Sequence, residues 1–266
     1  MSRLVFLLAA VFLLAPARAA EMRLLAAELP PYTFQVPSVS VSEFPGPGQG
    51  LVYDVVEAMA KRVGHTGSIE FMPWRLAQKI TMTEPNVGIL ALTRTPERED
   101  KYRWLVKILD DDLILVGGQG VDVSGLDKVR NRPTGVLLLS GAQALLTEKG
   151  FTRIEPAPEE WINARKLRER RIDAWLAPRQ MVIFAYREVG GDPASLNSGE
   201  IVRPSEIWFA GSKSLSDAEA QKWQTAFEEI RADGTYERIV AKYNRLKVMP
   251  ISDDLRRQDY EPIWTY

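Results

Sequence analysis

The chain has 266 residues, 45% hydrophobic and 26% charged, with 34 basic against 35 acidic side chains and a net charge of -1. That balance leaves no basic surface for nucleic acid or an anionic membrane. The absence of cysteine excludes disulfides, thiolate metal sites and lipid attachment through a thiol. With only one histidine, His65, a zinc site is not expected, and a Ser-His-Asp triad would have to use that residue, which reads as an exposed turn position.

The first element is a leader. Arg3 precedes an apolar run from Leu4 to Leu14, followed by Pro16 and Ala17-Arg18-Ala19, the pattern of a secretory signal peptide cut after Ala19. The run is short for a membrane span, and no second run reaches that length. A mature, cysteine-free chain of this size must be held by its hydrophobic core, and the bacterial periplasm suits it.

Met22 to Ala27 reads as a first strand, ending at Glu28-Leu29-Pro30-Pro31-Tyr32. The proline- and glycine-rich stretch 36–50 is long for a loop inside a domain, which marks it as functional or mobile. Val52, Val55, Val56, Met59, Ala60 and Val63 then fall on one helical face, closed by Gly64. Ser68 to Met72 is a second strand, Trp74 to Thr81 a helix, and Asn86 to Thr93 a third strand. This βαβαβ order predicts a parallel sheet with right-handed crossovers. Around Asp110-Asp111-Asp112 the pattern restarts, with strands at Leu113 to Val116, Gly135 to Leu139 and Ile172 to Leu176. Helices follow from about Ala142 and from Gln180. A late strand spans Ile207 to Ala210. Ser216-Asp217-Ala218-Glu219 is a capping box for a helix carrying Trp223, Phe227 and Ile230. Gly234 ends it, and Tyr236, Ile239, Val240 and Tyr243 line a last helix.

The end of the third strand raises a chemical question. Residues 91–100 read ALTRTPERED, so an apolar strand finishes in hydroxyls, a proline and arginines. Ligands of open α/β sheets bind beyond the carboxyl ends of strands. Arg98 supplies a planar fork of donors matched to a carboxylate or phosphate. The plain alternative is a surface arginine paired with Glu97 or Glu99.

Five stretches in order resemble the bacterial extracellular solute-binding proteins of family 3. They are Gly50-Leu51-Val52-Tyr53-Asp54, Leu92-Thr93-Arg94-Thr95-Pro96-Glu97-Arg98, Ser140-Gly141, Arg171-Ile172-Asp173-Ala174 and Asp233-Gly234-Thr235-Tyr236. The resemblance implies a two-lobed α/β, periplasmic-binding-protein-like type II fold with the ligand in the cleft. Lobe one would comprise 20–108 and 207–266, lobe two 113–202, and the hinges 107–112 and 203–207. Closure by hinge motion is the implied mechanism.

The resemblance also implies a site. Arg98 and Thr93, with Ala91 on the same strand end, would hold a ligand carboxylate. Ser140, Gly141 and Ala142 open a helix whose free N–H groups can take the anion from the other lobe. Tyr32 would lie over the ligand, and Trp74 would stack on a planar group or else pack in the core. Family members present an aspartate to a ligand ammonium where this chain has Ala177-Pro178. The departure argues against standard amino acids and for an acidic or neutral carboxylated solute. Arg179 is either a second cation or a solvent-facing helix start, and Glu28 either a cation partner or a strand-end acid. Trp175 reads as core.

The implied function is a monomeric periplasmic protein that delivers a carboxylated solute to an ABC permease or a membrane sensor, without cofactor, metal or nucleic acid. A dehydratase-like enzyme on the same fold is the alternative. It needs a general acid or base in the cleft, for which Glu28 is the candidate.

Overall fold

The computed structural model describes residues 21–35 and 48–244. The expected leader, most of the 36–50 loop and the C-terminal part of the last segment lie outside the described residues.

The first half builds the expected βαβαβ unit: β1 (Arg23–Ala26), α1 (Leu51–Val63), β2 (Ile69–Phe71), α2 (Trp74–Thr83) and β3 (Val87–Thr93). β1 pairs in parallel with both β2 and β3. The α1 stripe is fully buried at Val52, Val55, Val56 and Met59, and Gly64 closes the helix in the left-handed region. Two antiparallel strands complete this sheet in the order β2-β1-β3-β10-β4, where β4 is Tyr102–Asp110 and β10 is Glu206–Ser212. β4 has no clear signature in the sequence. Its burial pattern is mixed rather than alternating, because both faces of the sheet are covered along part of its length.

The second sheet has the order β7-β6-β8-β5-β9. Its strands are β5 (Leu113–Gly117), β6 (Thr134–Leu137), β7 (Ile154–Ala157), β8 (Ala174–Pro178) and β9 (Asn197–Arg203). Its helices are α3 (Gly141–Glu148), α4 (Glu160–Arg168) and α5 (Arg179–Glu188). Here the structure corrects several boundaries. β6 stops at Leu137, and Leu138 and Leu139 are exposed in a turn, with Leu139 at φ 58°. β8 begins at Ala174 rather than Ile172, because residues 170–172 close the end of α4. β7, α4 and β9 were not anticipated. α4 has only four apolar residues in nine, and β9 is half exposed, so neither shows a sharp period.

The chain returns to the first sheet through β10. The last helices, α6 (Asp217–Ala232) and α7 (Thr235–Asn244), pack on α1, with α6 also against β4. Ser216 caps α6, its Oγ accepting the Glu219 N–H at 3.1 Å. Trp223 is fully buried against Phe209. Apolar clusters cover both faces of each sheet. His65 is half-buried rather than exposed, because its Nε2 lies 2.7 Å from the Met22 carbonyl and its ring packs near Trp223.

Two segments cross between the sheets, one at Asp111-Asp112 and one at Pro204-Ser205. They are tied to each other, since the Asp111 N–H donates to the Ser205 carbonyl at 2.9 Å.

Candidate functional site

A cavity opens between the two sheets, with about 560 Å³ of free space counted out to solvent at its mouth. Its wall on the first-sheet side is built by the end of β3. There β3 carries one more residue than β10: Leu92 pairs with Trp208 and Ile89 with Ala210, so Leu90 and Ala91 together oppose Phe209. Ala91 absorbs the bulge at φ 60°, a conformation costly for any residue with a Cβ. Such a bulge re-aims the strand end.

Thr95 and Pro96 then start a single 3-10 turn, Pro96–Arg98, and the Arg98 N–H closes it on the Thr95 carbonyl at 3.0 Å. The turn folds Arg98 back over the strand it has just left. Its Nη1 donates to the Thr93 carbonyl at 3.1 Å, and Nη2 donates to Gln78 Oε1 at 3.1 Å and to the Leu139 carbonyl at 3.4 Å. Arg98 is only 9% exposed. Among the described residues no carboxylate lies within ion-pair distance of it; Glu99 pairs with Arg94 instead. Burial lowers the Arg98 pKa from its ordinary value, and Arg203 contributes in the same direction. A buried cation bonded only to neutral oxygens is an electrostatic setting that favours an anion nearby, with Glu97 offsetting part of the charge and Arg203 adding to it.

The facing wall is the start of α3. Ser140 Oγ accepts the Gln143 N–H at 3.2 Å, so the cap uses one first-turn donor and leaves those of Gly141 and Ala142 without a partner inside the helix. A Cβ on Gly141 would stand 3.1 Å from Thr95 Cγ2 and 3.5 Å from Arg203 Nη2. Glycine therefore lets the two walls approach, and Arg203, at the end of β9, sits beside that approach.

Tyr32 and Trp74 also line the cavity. The Tyr32 hydroxyl donates to the Asp111 carboxylate, which also accepts the Gln180 N–H at 3.2 Å, so one acid joins the first-sheet side to α5. Burial raises Asp111 to about 6, opposed by those two hydrogen bonds. Of the ten residues singled out from sequence, eight line the cavity: Tyr32, Trp74, Ala91, Thr93, Arg98, Ser140, Gly141 and Ala142. Trp74 does so while also packing on the core.

Two do not. Glu28 lies outside the lining and accepts the Gln35 N–H at 3.1 Å. Desolvation pushes its carboxyl up to about 8, although the residue keeps exposed surface through which solvent screens it. Arg179 is likewise outside the lining. Its Nη2 stands 3.4 Å from Asp112 Oδ2, and its backbone N–H donates to the Asp112 carbonyl at 2.9 Å, so it braces the crossing segment.

The structure adds charged residues that the sequence reading did not place in the site. Arg203 is one, and Glu160, the first residue of α4, is another. Glu160 is 6% exposed, and its Oε2 accepts from Trp175 Nε1 and from Asn163 Nδ2, both at 2.8 Å. Burial pushes its carboxyl up to about 7, and the two hydrogen bonds hold it back from going higher. An acid in the first turn of a helix is common solvated chemistry. Nothing local signals that this one faces inward; Trp175, on β8, draws it there.

The profile of the bacterial extracellular solute-binding proteins, family 3, matches residues 26–245. The chain belongs to this family. Solved structures with the same fold include a histidine kinase sensor domain with similarity to periplasmic binding proteins (TM-score 0.74, 16% identity, covering 88% of this chain and 100% of that one). A second is the substrate-binding protein of an ABC uptake transporter from Streptococcus pneumoniae with bound histidine (TM-score 0.72, 17% identity, 86% and 94%). A third is an ancestral amino-acid-binding protein that is a precursor of cyclohexadienyl dehydratase (TM-score 0.65, 16% identity, 83% and 94%). No curated protein sequence matches the chain. The family is extracellular, and among the described residues no helix is long and apolar enough to cross a membrane.

Proposed function

We propose that this family 3 protein is a periplasmic solute-binding protein that captures a small carboxylated solute between its two sheets and presents it to an ABC importer or a membrane sensor. Arg98 is the observation that carries this reading: it is buried, cationic, within reach of the cavity and bonded only to neutral acceptors. A ligand carboxylate gives it the charged partner it lacks, and charge-assisted bonds are roughly twice as strong as neutral ones. The α3 N–H groups meet the same anion from the second sheet. An anion that touches both walls favours closure about the crossing segments near 107–112 and 203–207, because the open state offers only one set of contacts.

A thermal-shift screen of organic acids and amino acids on the mature protein, followed by calorimetry, tests the reading. The expected result is stabilisation by at least one monocarboxylate that is lost on replacing Arg98. Stabilisation confined to neutral or cationic solutes refutes it. The relation of one structural neighbour to a dehydratase keeps the enzymatic reading as the second. Its original acid, Glu28, lies outside the cavity, so it now depends on Glu160; conversion of a bound solute, followed by mass spectrometry, decides between the two.

A further inference from the structure

The cavity has a second pole that the carboxylate reading does not use. Glu160 lines it and is almost fully buried. Both hydrogen bonds to its carboxylate fall on Oε2, from Trp175 Nε1 and Asn163 Nδ2. Among the described residues, Oε1 has no hydrogen-bond partner and no cation stands within ion-pair distance. Oε1 is not among the fully buried oxygens left without a partner, so it keeps open surface that a donor on a bound solute can meet. Where the family resemblance leads one to expect an acid, this chain has Pro178, which also lines the cavity and offers no charge.

Resting on the carboxylate reading above, we propose that Glu160 is a specificity-determining residue, whose Oε1 accepts a hydrogen bond from an O–H or N–H donor group that the solute carries in addition to its carboxylate. Three observations converge on it. The acid is fixed in place by two donors from β8 and α4, so little freedom is lost on binding. The same lining also carries Arg98 and Arg203, so the cavity presents charges of both signs to a solute. Arg179, which would have made the Pro178 end repel a cation, is instead occupied by Asp112 outside the lining. A charged ammonium and a neutral hydroxyl both satisfy Oε1; a second carboxylate does not unless Glu160 holds a proton.

The geometry supplies a sharp test. In Glu160→Gln, the Trp175 and Asn163 donors keep the amide oxygen at the Oε2 position, so the amide NH₂ takes the place of Oε1. An acceptor becomes a donor with the shape unchanged. Calorimetry would compare wild type and Glu160→Gln on matched acids built on an isobutyl and on a benzyl skeleton. Each set carries hydrogen, hydroxyl, ammonium or a second carboxylate at the carbon next to the carboxyl. We expect wild type to bind the hydroxyl or ammonium member at least about tenfold tighter than the hydrogen member, the size of one good hydrogen bond to a charged group. Which of the two binds tighter tells whether the donor is charged. In Glu160→Gln that advantage disappears and the second-carboxylate member gains. The melting temperature of ligand-free Glu160→Gln is not lowered, since an unpaired buried charge has been removed.

An unchanged preference order in Glu160→Gln, with binding still dependent on Arg98, overturns the Glu160 assignment alone. A wild-type preference for the hydrogen or dicarboxylate members also overturns it. Failure of every member to bind overturns the carboxylate reading and this inference with it.

Discussion

Replacing Arg98 separates what the site does for a ligand from what it does for the fold. Arg98→Met keeps the apolar stem and removes the guanidinium. In the ligand-free protein it gives up three hydrogen bonds to neutral oxygens, to Thr93, Gln78 and Leu139. At about 1 kcal/mol each, that is roughly 3 kcal/mol. The substitution also removes a cation that is only 9% exposed and lacks a charged partner among the described residues. Relief of that desolvation is worth a few kcal/mol in the opposite direction, so the two nearly cancel. Binding has no such offset. Two charge-assisted bonds to a carboxylate are lost, while the α3 N–H groups and Arg203 keep part of the anion's coordination. A loss of about 3 kcal/mol, or about two orders of magnitude in affinity, is expected. Calorimetry with the tightest acid found by screening reads the affinity, and a thermal melt reads the fold. Arg98→Lys, which keeps the charge but not the fork, is expected to fall between. Unchanged affinity in Arg98→Met would refute the anion site, and a collapse of the melting temperature with intact affinity would make Arg98 a structural residue.

Stability should fall, not rise, from pH 5 to pH 8. Asp111 and Glu160 stand at about 6 and about 7 in the folded chain, both above their ordinary values because of burial, so the folded state holds protons that the unfolded chain has released. The contribution of Glu160, moved from 4.5 to about 7, is at most about 3 kcal/mol. Acids held low by surface partners, such as Glu70 and Asp233, weaken the fold only as pH drops below about 4.5 and leave this window untouched. Melting temperatures across the range should decline in wild type and decline less in Glu160→Gln; a flat or rising wild-type curve counts against the buried acids. A third test lies away from the site. Arg170 is exposed at φ 59° just past α4, where the N–H groups of Arg170 and Arg171 close on the Leu167 and Lys166 carbonyls. Arg170→Gly should stabilise by about 1 kcal/mol and raise the melting temperature by about 2–4 °C without altering affinity. A lower melting temperature would show that the arginine side chain matters more than its backbone.

Much of this protein was legible in order along the chain. The stripe of α1, the capping box before α6 and the parallel start of the first sheet follow from periods and caps that neighbouring residues set among themselves. The meeting of Arg98 and Thr93 at the cavity was legible as well, because a strand end and one short turn bring them together within six residues. β4, β9 and α4 were not, since their faces are defined by partners distant in sequence and their own patterns are mixed. The same limit governs the charges. Glu28 and Arg179 sit where the sequence makes them look like site residues, yet Gln35 and Asp112 hold them outside the cavity. Glu160 and Arg203 look like a helix-start acid and a linker arginine. They become cavity residues because β8 presents Trp175 to one and β9 ends beside Gly141 for the other. Local sequence determines which backbone elements form and where they stop. Which charged side chain faces the cavity is decided by contacts across the two sheets, and those exist only once the chain has folded.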